Sequence, residues 1–377
     1  TGTPSAPTAA AGTNTTQLAT TQFVQNAIGG SLTGRNRLIN GDFRVAQISG
    51  STIVNGPTRV YPIDRWQAFG VASAGTYTLS RGAGGSGNSY FLTATVGTAA
   101  ASPGASDSYA ILQRIEGPNV ADLGFGAASP QSITLSFIVK SSVTGTFSGS
   151  IRNGAANRSY PFSYTIAAAN TPTPIAITIL GDTSGSWPIS PGSVGMDLIF
   201  CLGSGSSGLG AAGTWAAANY FGATGSVNLM ATAGATWSIS NVQIERGTSA
   251  TSFDARPYGV ELLLCQRYLQ VYGEGQSGTT YLHGMVDTAT TALYFLPLRV
   301  PMAGAPTMTF STGPGDFSMY STSALGAQTC TGINTTYADS VTVAVTAGNA
   351  GGGGTIGYAS RLQSTTSSSR IIARAEL

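Results

Sequence analysis

Charge is what this sequence has least of. Only 8% of its 377 residues are Asp, Glu, Lys or Arg, where a soluble domain usually carries about a quarter. Seventeen basic against fifteen acidic side chains leave a formal charge of +2. That balance offers no footprint for neutralising a run of phosphates, so no nucleic-acid partner is expected. Lys140 is the only lysine and His283 the only histidine, so a Ser-His-Asp triad, a Cys-His pair or a multi-histidine metal site must use that one residue or none. His283 falls inside a β run, Tyr281 to Val286, and reads as an ordinary sheet residue. The three cysteines, Cys201, Cys265 and Cys330, are too few and too widely spaced for a disulfide framework or a zinc site and read as buried free thiols. No stretch approaches 18 uninterrupted apolar residues, and the N-terminus lacks the basic and apolar blocks of a signal peptide; neither membrane insertion nor a secretion address is expected. Disorder is equally excluded, since 42% of the residues are apolar and the rest are mostly polar without charge.

What is present is glycine (51 residues), proline (17) and a change of periodicity along the chain. The first 34 residues contain no ionisable side chain. They open as a Pro/Ala/Thr spacer from Thr3 to Gly12. Thr15 or Thr16 then caps a short helix in which Ala19, Phe23 and Ala27, with Thr20, Val24 and Ile28, form an apolar seam ended by Gly29 and Gly30. About a dozen residues do not persist as a lone helix, so Phe23, Val24, Ala27 and Ile28 are read as an oligomerisation seam between identical copies. From Asn36 the period becomes two: Ile133, Leu135, Phe137 and Val139 alternate with polar residues, as do Ile175, Ile177 and Ile179. In Ala235 to Glu245 the apolar phase shifts from Trp237 and Ile239 to Val242 and Ile244, which predicts a bulge near Asn241. Pro257 opens a helical pattern through Val260, Leu263, Leu264, Arg267, Tyr268 and Val271, closed by Gly273. Beyond it Val341, Val343 and Val345 alternate again, and Ser369 to Leu377 reads as a terminal strand. The predicted fold is mainly β: a shaft and short helix (1–35), an antiparallel jelly-roll-like sandwich (36–256), a connecting helix acting as a hinge (257–274) and a C-terminal antiparallel β domain (275–377).

The fifteen carboxylates are scattered. Asp64 beside Arg65, and Glu245 beside Arg246, read as fold-fixing ion pairs between neighbours, with Trp66 in the core. Lysine-based and metal-based catalysis have no support, and the protein is read as a non-enzyme. Sugar recognition needs an aromatic face for the apolar side of a pyranose and neutral hydrogen-bonding groups for its hydroxyls. Leu198 to Ile244 is 47 residues without a charge, and within it Trp215, Asn219, Tyr220 and Phe221 sit in a Gly/Ala-rich loop. Trp187 occupies another turn, Ser184 to Ser190. These five are the candidate carbohydrate-binding residues. The competing reading is that such aromatics cover a sandwich end or pack at a subunit interface. Strand edges without Lys or Pro protection invite pairing with other chains, which a closed homo-oligomer would prevent.

Several segments resemble bacteriophage tail fibre and receptor-binding proteins across most of the chain. Ala6-Pro7-Thr8-Ala9-Ala10 through Gly12-Thr13-Asn14-Thr15-Thr16-Gln17-Leu18-Ala19-Thr20-Thr21 and Phe23-Val24 is similar to a repeat of fibre shafts. Asn36-Arg37-Leu38-Ile39-Asn40-Gly41-Asp42-Phe43, Asp64-Arg65-Trp66, and Val242-Gln243-Ile244-Glu245-Arg246-Gly247 with Phe253 resemble the start and end of a carbohydrate-binding-module-like jelly roll. Arg256-Pro257-Tyr258-Gly259, Glu261-Leu262 and Cys265-Gln266-Arg267-Tyr268 resemble a junction of phage tail proteins, followed there by an element like Val300-Pro301-Met302-Ala303-Gly304-Ala305-Pro306-Thr307 and a close like Ala375-Glu376-Leu377. The resemblance implies a homotrimeric virion protein, assembled in the host cytoplasm, that binds other phage tail or baseplate proteins and, non-enzymatically, host surface glycans. Its C-terminal tip would expose loops 313–323 and 348–355. Since the first residue is not Met, a fragment of a longer fibre is expected. A polysaccharide depolymerase tailspike and a structural head, neck or collar fibre are the alternatives. Such jelly rolls often carry Phe-Glu, whose carboxylate helps hold a structural calcium; Phe43-Arg44 here argues against that ion, and no cofactor is expected.

Overall fold

The computed structural model describes residue 20 and residues 34–377, apart from 49–50, 55–57, 73, 85–88, 274–279, 311–313, 322–326, 349–354 and 367–368. The expected oligomerisation seam (Phe23, Val24, Ala27, Ile28) and parts of both tip loops lie outside the described residues.

The first β region contains β1 (Ser51–Val54), β2 (Thr58–Ile63), β3 (Trp66–Val71), β4 (Thr76–Ala83), β5 (Tyr90–Val96), β6 (Ser108–Glu116) and β7 (Ile133–Ser141). It continues through β8 (Gly145–Asn153), β9 (Ser159–Ile166), β10 (Thr173–Ile179), β11 (Val194–Ser204), β12 (Leu209–Gly210), β13 (Gly222–Ala223) and β14 (Thr236–Arg246). Two six-stranded sheets, ordered β1-β4-β5-β14-β7-β10 and β2-β3-β6-β11-β8-β9, are antiparallel throughout. They enclose one core. Ile133, Leu135, Phe137 and Val139 all face it, with Ile111, Leu198, Phe200, Trp66 and Trp237; alternation at period two thus maps directly onto burial. The phase shift in β14 is a bulge: its register against β7 breaks between Ser240 and Gln243, and Asn241 adopts the left-handed φ of 52° that Asn tolerates better than most residues.

The segment Asn36–Phe43 joins the ends of this domain. The Asn36 amide donates to Val242 O (2.9 Å) and its Oδ1 accepts from Ile244 N (3.1 Å), bracketing the bulge. Gly41 accepts from Val242 N, and a Cβ on Gly41 would clash with Val242 O. Asn40, at φ 58°, uses its side chain to bind Val45 and Asp64 backbone groups, while its carbonyl accepts the Trp66 indole N–H. The three jelly-roll motifs are therefore one hydrogen-bonded unit, and their chemistry is that of folding.

The neighbour ion pairs read from sequence are corrected. Arg65 pairs with Glu376, and Asp64 accepts from the Gln47 backbone and side-chain amides. Glu245 faces Arg35 at 3.8 Å and accepts from Thr251 and Gln243, leaving Arg246 exposed. Glu245 and Arg246 are successive residues of β14 and point to opposite faces, while Asp64 and Arg65 form the turn between β2 and β3, where Arg65 takes a left-handed φ of 70° and its side chain leaves the carboxylate beside it.

The connecting helix is shorter than 257–274. It spans α1 (Tyr258–Gln266), capped by Pro257, and Val271 lies in β15 (Leu269–Tyr272). Its buried side is only partly the one the apolar spacing marks: Glu261, Cys265 and Gln266 are buried and Leu264 is partly buried, whereas Val260 and Leu263 are 46% and 52% exposed. The helix docks through Cys265, with Leu262 and Leu264, against Ile39, Val45 and Tyr268, and through a buried carboxylate. Glu261 pairs with Arg256 (3.2 Å) and accepts from Asn40 N, so the backbone donors of the 36–43 segment draw a carboxylate inward.

The C-terminal region adds β16 (Thr280–Thr288), β17 (Thr291–Pro297), β18 (Thr307–Phe310), β19 (Phe317–Ser321), β20 (Ala327–Thr329), β21 (Gly332–Ala338), β22 (Thr342–Gly348), β23 (Ala359–Ser364) and β24 (Ile371–Arg374). A seven-stranded sheet, β20-β19-β23-β16-β17-β22-β21, and a three-stranded one, β15-β24-β18, share a core of Leu282, Tyr294, Phe317, Val343, Val345, Leu362 and Ile371. His283 lies exposed on β16 opposite Arg361. All three cysteines are free and buried, and burial pushes the Cys201 and Cys330 thiols up to about 12.

The junction between the two regions is heavily tied. Arg267 binds Glu116 through Nε (2.7 Å) and Nη2 (2.5 Å), and the same carboxylate accepts from Tyr268 Oη and Gly192 N. Burial raises the Glu116 pKa, but these donors outweigh it and hold the group at about 2. The Arg65 guanidinium lies 3.5 Å from the Tyr268 ring centroid.

Candidate functional site

Strand β9 is an edge strand, and the uncharged loop between β11 and β14 lies along it. Ser159 exchanges both backbone hydrogen bonds with Ala216 (3.0 and 2.9 Å), and Gly213 N donates to Pro161 O. The Ser159 hydroxyl donates to Ala218 O and accepts from Tyr220 N. A loop rich in Gly and Ala can come this close to an edge, and by doing so it satisfies groups that would otherwise recruit another chain. Because the loop straddles the edge, the residues on its two arms part company: Trp215 goes to the end of the sandwich, and Asn219 to Phe221 go to the outer face of the sheet.

At the sandwich end, Trp187 and Trp215 meet edge to face, with ring centroids 5.5 Å apart and planes at 88°. Phe125 stands at 88° to Trp187 and at 84° to Trp215, so the three rings form a corner of nearly perpendicular planes. Tyr160 closes it on the β9 side, 5.2 Å from Trp215. Edge-to-face contact is the favoured arrangement of aromatic quadrupoles. Both indole N–H groups donate to backbone carbonyls, Trp187 to Ser184 O and Trp215 to Leu180 O; what the tryptophans offer outward is therefore ring surface alone. Both are half-buried, packed on the core from its rim. Beside them Leu180 is 68% and Ile189 60% exposed. The adjacent charges are satisfied, since Arg158 grips Asp182 with two hydrogen bonds of 2.8 and 2.7 Å, which hold the arginine pKa up.

The second arm is organised by an arginine. Arg152 binds Asp197 through Nε (3.2 Å) and Nη2 (2.6 Å) and donates from Nη1 to Asn219 Oδ1 (2.6 Å). Its guanidinium lies 5.2 Å from the Phe221 centroid, and Phe221 stacks on Phe69 at 5.3 Å and 15°. Asn219 and Phe221 are thus committed to the outer face of the sheet, over Ala110, Leu112 and Ile199. Tyr220 is half-buried, and its hydroxyl has no hydrogen-bond partner among the described residues. The five residues singled out in the sequence do not converge on one site. Trp187 and Trp215 do, joined by Phe125 and Tyr160, which sequence reasoning missed. Phe125 lies between Gly124 and Gly126, the same aromatic-beside-glycine signal that singled out Trp215.

The residues do not fit a structural calcium. Arg44 lies against the Asp42 carboxylate, and Arg81 donates to the Phe43 and Arg44 carbonyls at 3.3 and 2.8 Å; two guanidinium groups take the oxygens that such an ion would need. Among the described residues there is no cluster of three His, Cys, Asp or Glu side chains able to hold a metal.

No protein-family model matches the chain, and no curated protein does. Among solved structures, it is similar to the enzymatically active domain of tailspike protein 4 of bacteriophage CBA120, at 14% identity and a TM-score of 0.32 over 56% of this chain and 22% of that one. The chain therefore spans about a fifth of the length of that tailspike domain. It is also similar to a family 11 carbohydrate-binding module from Clostridium thermocellum in complex with a mixed-linked tetrasaccharide (12%, 0.27, 55% and 99%). A xylan-binding domain from Paenibacillus barcinonensis is a third such structure (10%, 0.24, 58% and 99%).

Proposed function

We propose that this protein is a bacteriophage tail fibre that attaches to host surface glycans without cleaving them. The observation that carries the glycan reading is the corner of half-exposed rings at Trp187, Trp215 and Phe125. A pyranose presents an apolar face of C–H groups that stacks on such rings, and the neighbouring surface is uncharged or internally paired. The phage reading rests on the resemblance of the shaft, jelly-roll and junction motifs. As a homotrimer displayed in several copies on a virion, each weak site would be multiplied by avidity. Other tail or baseplate proteins would hold the fibre.

Binding of the full chain to purified host surface polysaccharide tests this, with Trp215→Ala as the variant and circular dichroism as the check on folding. The expected result is saturable binding that changes little between about 0.05 and 0.5 M salt, because no long-range charge drives it, and that falls at least tenfold in the variant. Loss of binding with salt would make charge the driver and overturn the mechanism, while release of reducing ends would make the protein a depolymerase.

A further inference from the structure

Behind Trp187 the sandwich end holds a pocket of about 220 Å³. Val120, Ala121, Phe125, Trp187, Ile189 and Met196 line it, together with backbone at Gly124 and Ala127. None of these side chains is charged and none carries a hydroxyl or amide. Val120 and Met196 are buried at its floor, and Ile189 stands exposed at its rim. Trp187 and Phe125 belong both to the pocket and to the ring corner, so a group entering the pocket would hang from a sugar stacked on the corner. The volume decides what that group is. An apolar cavity of about 150 Å³ already accepts a benzene ring; this one has room for a substituent, and the polar groups on its wall belong to backbone rather than to side chains.

We propose that the pocket receives a methyl-terminated substituent of the bound glycan, either the C6 methyl of a 6-deoxyhexose or the methyl of an acetyl group. The inference rests on the glycan reading above and names the sugar class that the same site prefers. A hydroxymethyl group in the same place would bring a hydroxyl among apolar side chains, where only backbone groups could replace its hydrogen bonds to water. A methyl brings no such group and adds buried apolar surface.

Saturation-transfer NMR and competition titrations with matched pairs test the preference: L-fucose against L-galactose, L-rhamnose against L-mannose, and N-acetyl-D-glucosamine against D-glucose. In at least one pair the methyl-bearing sugar is expected to bind about tenfold more tightly than its partner, with its methyl protons receiving the strongest transfer. Which pairs respond separates a deoxyhexose from an acetyl group as the source. Ala127→Leu and Ala121→Leu, at exposed positions on the rim, would fill the pocket from outside and are expected to abolish the preference, so that each methyl-bearing sugar binds no more tightly than its parent hexose. Equal binding within every pair, with Trp215→Ala still lowering both members, would overturn the pocket assignment and leave the glycan site standing. Failure of all six sugars to bind would overturn both.

Discussion

The Glu116→Gln substitution separates charge from packing at the junction. In the native protein Glu116 accepts two hydrogen bonds from Arg267, one from Tyr268 and one from Gly192, and its pKa is depressed from 4.5 to about 2. That depression corresponds to about 3 kcal/mol favouring the folded state, and because the Arg267 side chain is 32% exposed, solvent screening reduces it to about 2 kcal/mol. The contribution is complete above the unfolded-state pKa of 4.5 and is lost as the pH falls towards 2. Glutamine keeps the size and one acceptor but not the charge. All four tryptophans, at 66, 187, 215 and 237, lie in the first β region, so their fluorescence during urea unfolding reports that region. The variant is expected to be less stable by about 2 kcal/mol at pH 7, with the difference shrinking progressively between pH 4.5 and 2. A deficit of the same size at pH 7 and pH 2.5 would refute the assignment to charge, as would no deficit at pH 7.

Other outcomes follow from the same contacts. Arg152→Met should release Asn219 and leave Asp197 buried without its main counter-ion, costing about 3 kcal/mol, measured by urea unfolding. Leu135→Ala, in the centre of β7, should cost about 2–5 kcal/mol by the same method, with glycan affinity per folded molecule unchanged. Asn241→Val forces a β-branched residue into a left-handed bulge and should destabilise by about 1–3 kcal/mol, whereas Asn241→Gly should be nearly neutral. The three thiols should resist Ellman's reagent in the native protein and react in full once it is unfolded, since burial disfavours their thiolates; rapid native labelling of Cys201 would contradict its placement in β11.

Local pattern was enough where local pattern decides. The alternation in Ile133–Val139 identified its core face, and one phase slip near Asn241 located a bulge, because period and register are properties of a few consecutive residues. The helix after Pro257 shows the limit. Its apolar residues marked Val260 and Leu263 for burial, yet Glu261 is the residue turned inward, for a reason that lies at Asn40 and Arg256. Arg65 likewise pairs with Glu376, 311 positions away, and nothing near Asp64 announces that partner. The aromatic site was half legible. Trp187 and Trp215 were visible as large rings among glycines, but only the path of the loop over β9 assigns Trp215 to one side of the sheet edge and Phe221 to the other.

The most direct test of the glycan reading is an isothermal titration of the full chain with host surface polysaccharide, repeated for Trp215→Ala and Phe221→Ala. Affinity should collapse for the first and hold for the second, since only the first ring belongs to the exposed corner. Equal affinity for native protein and Trp215→Ala, or no heat with any host polysaccharide, would contradict the claim that this corner is where the protein meets its sugar.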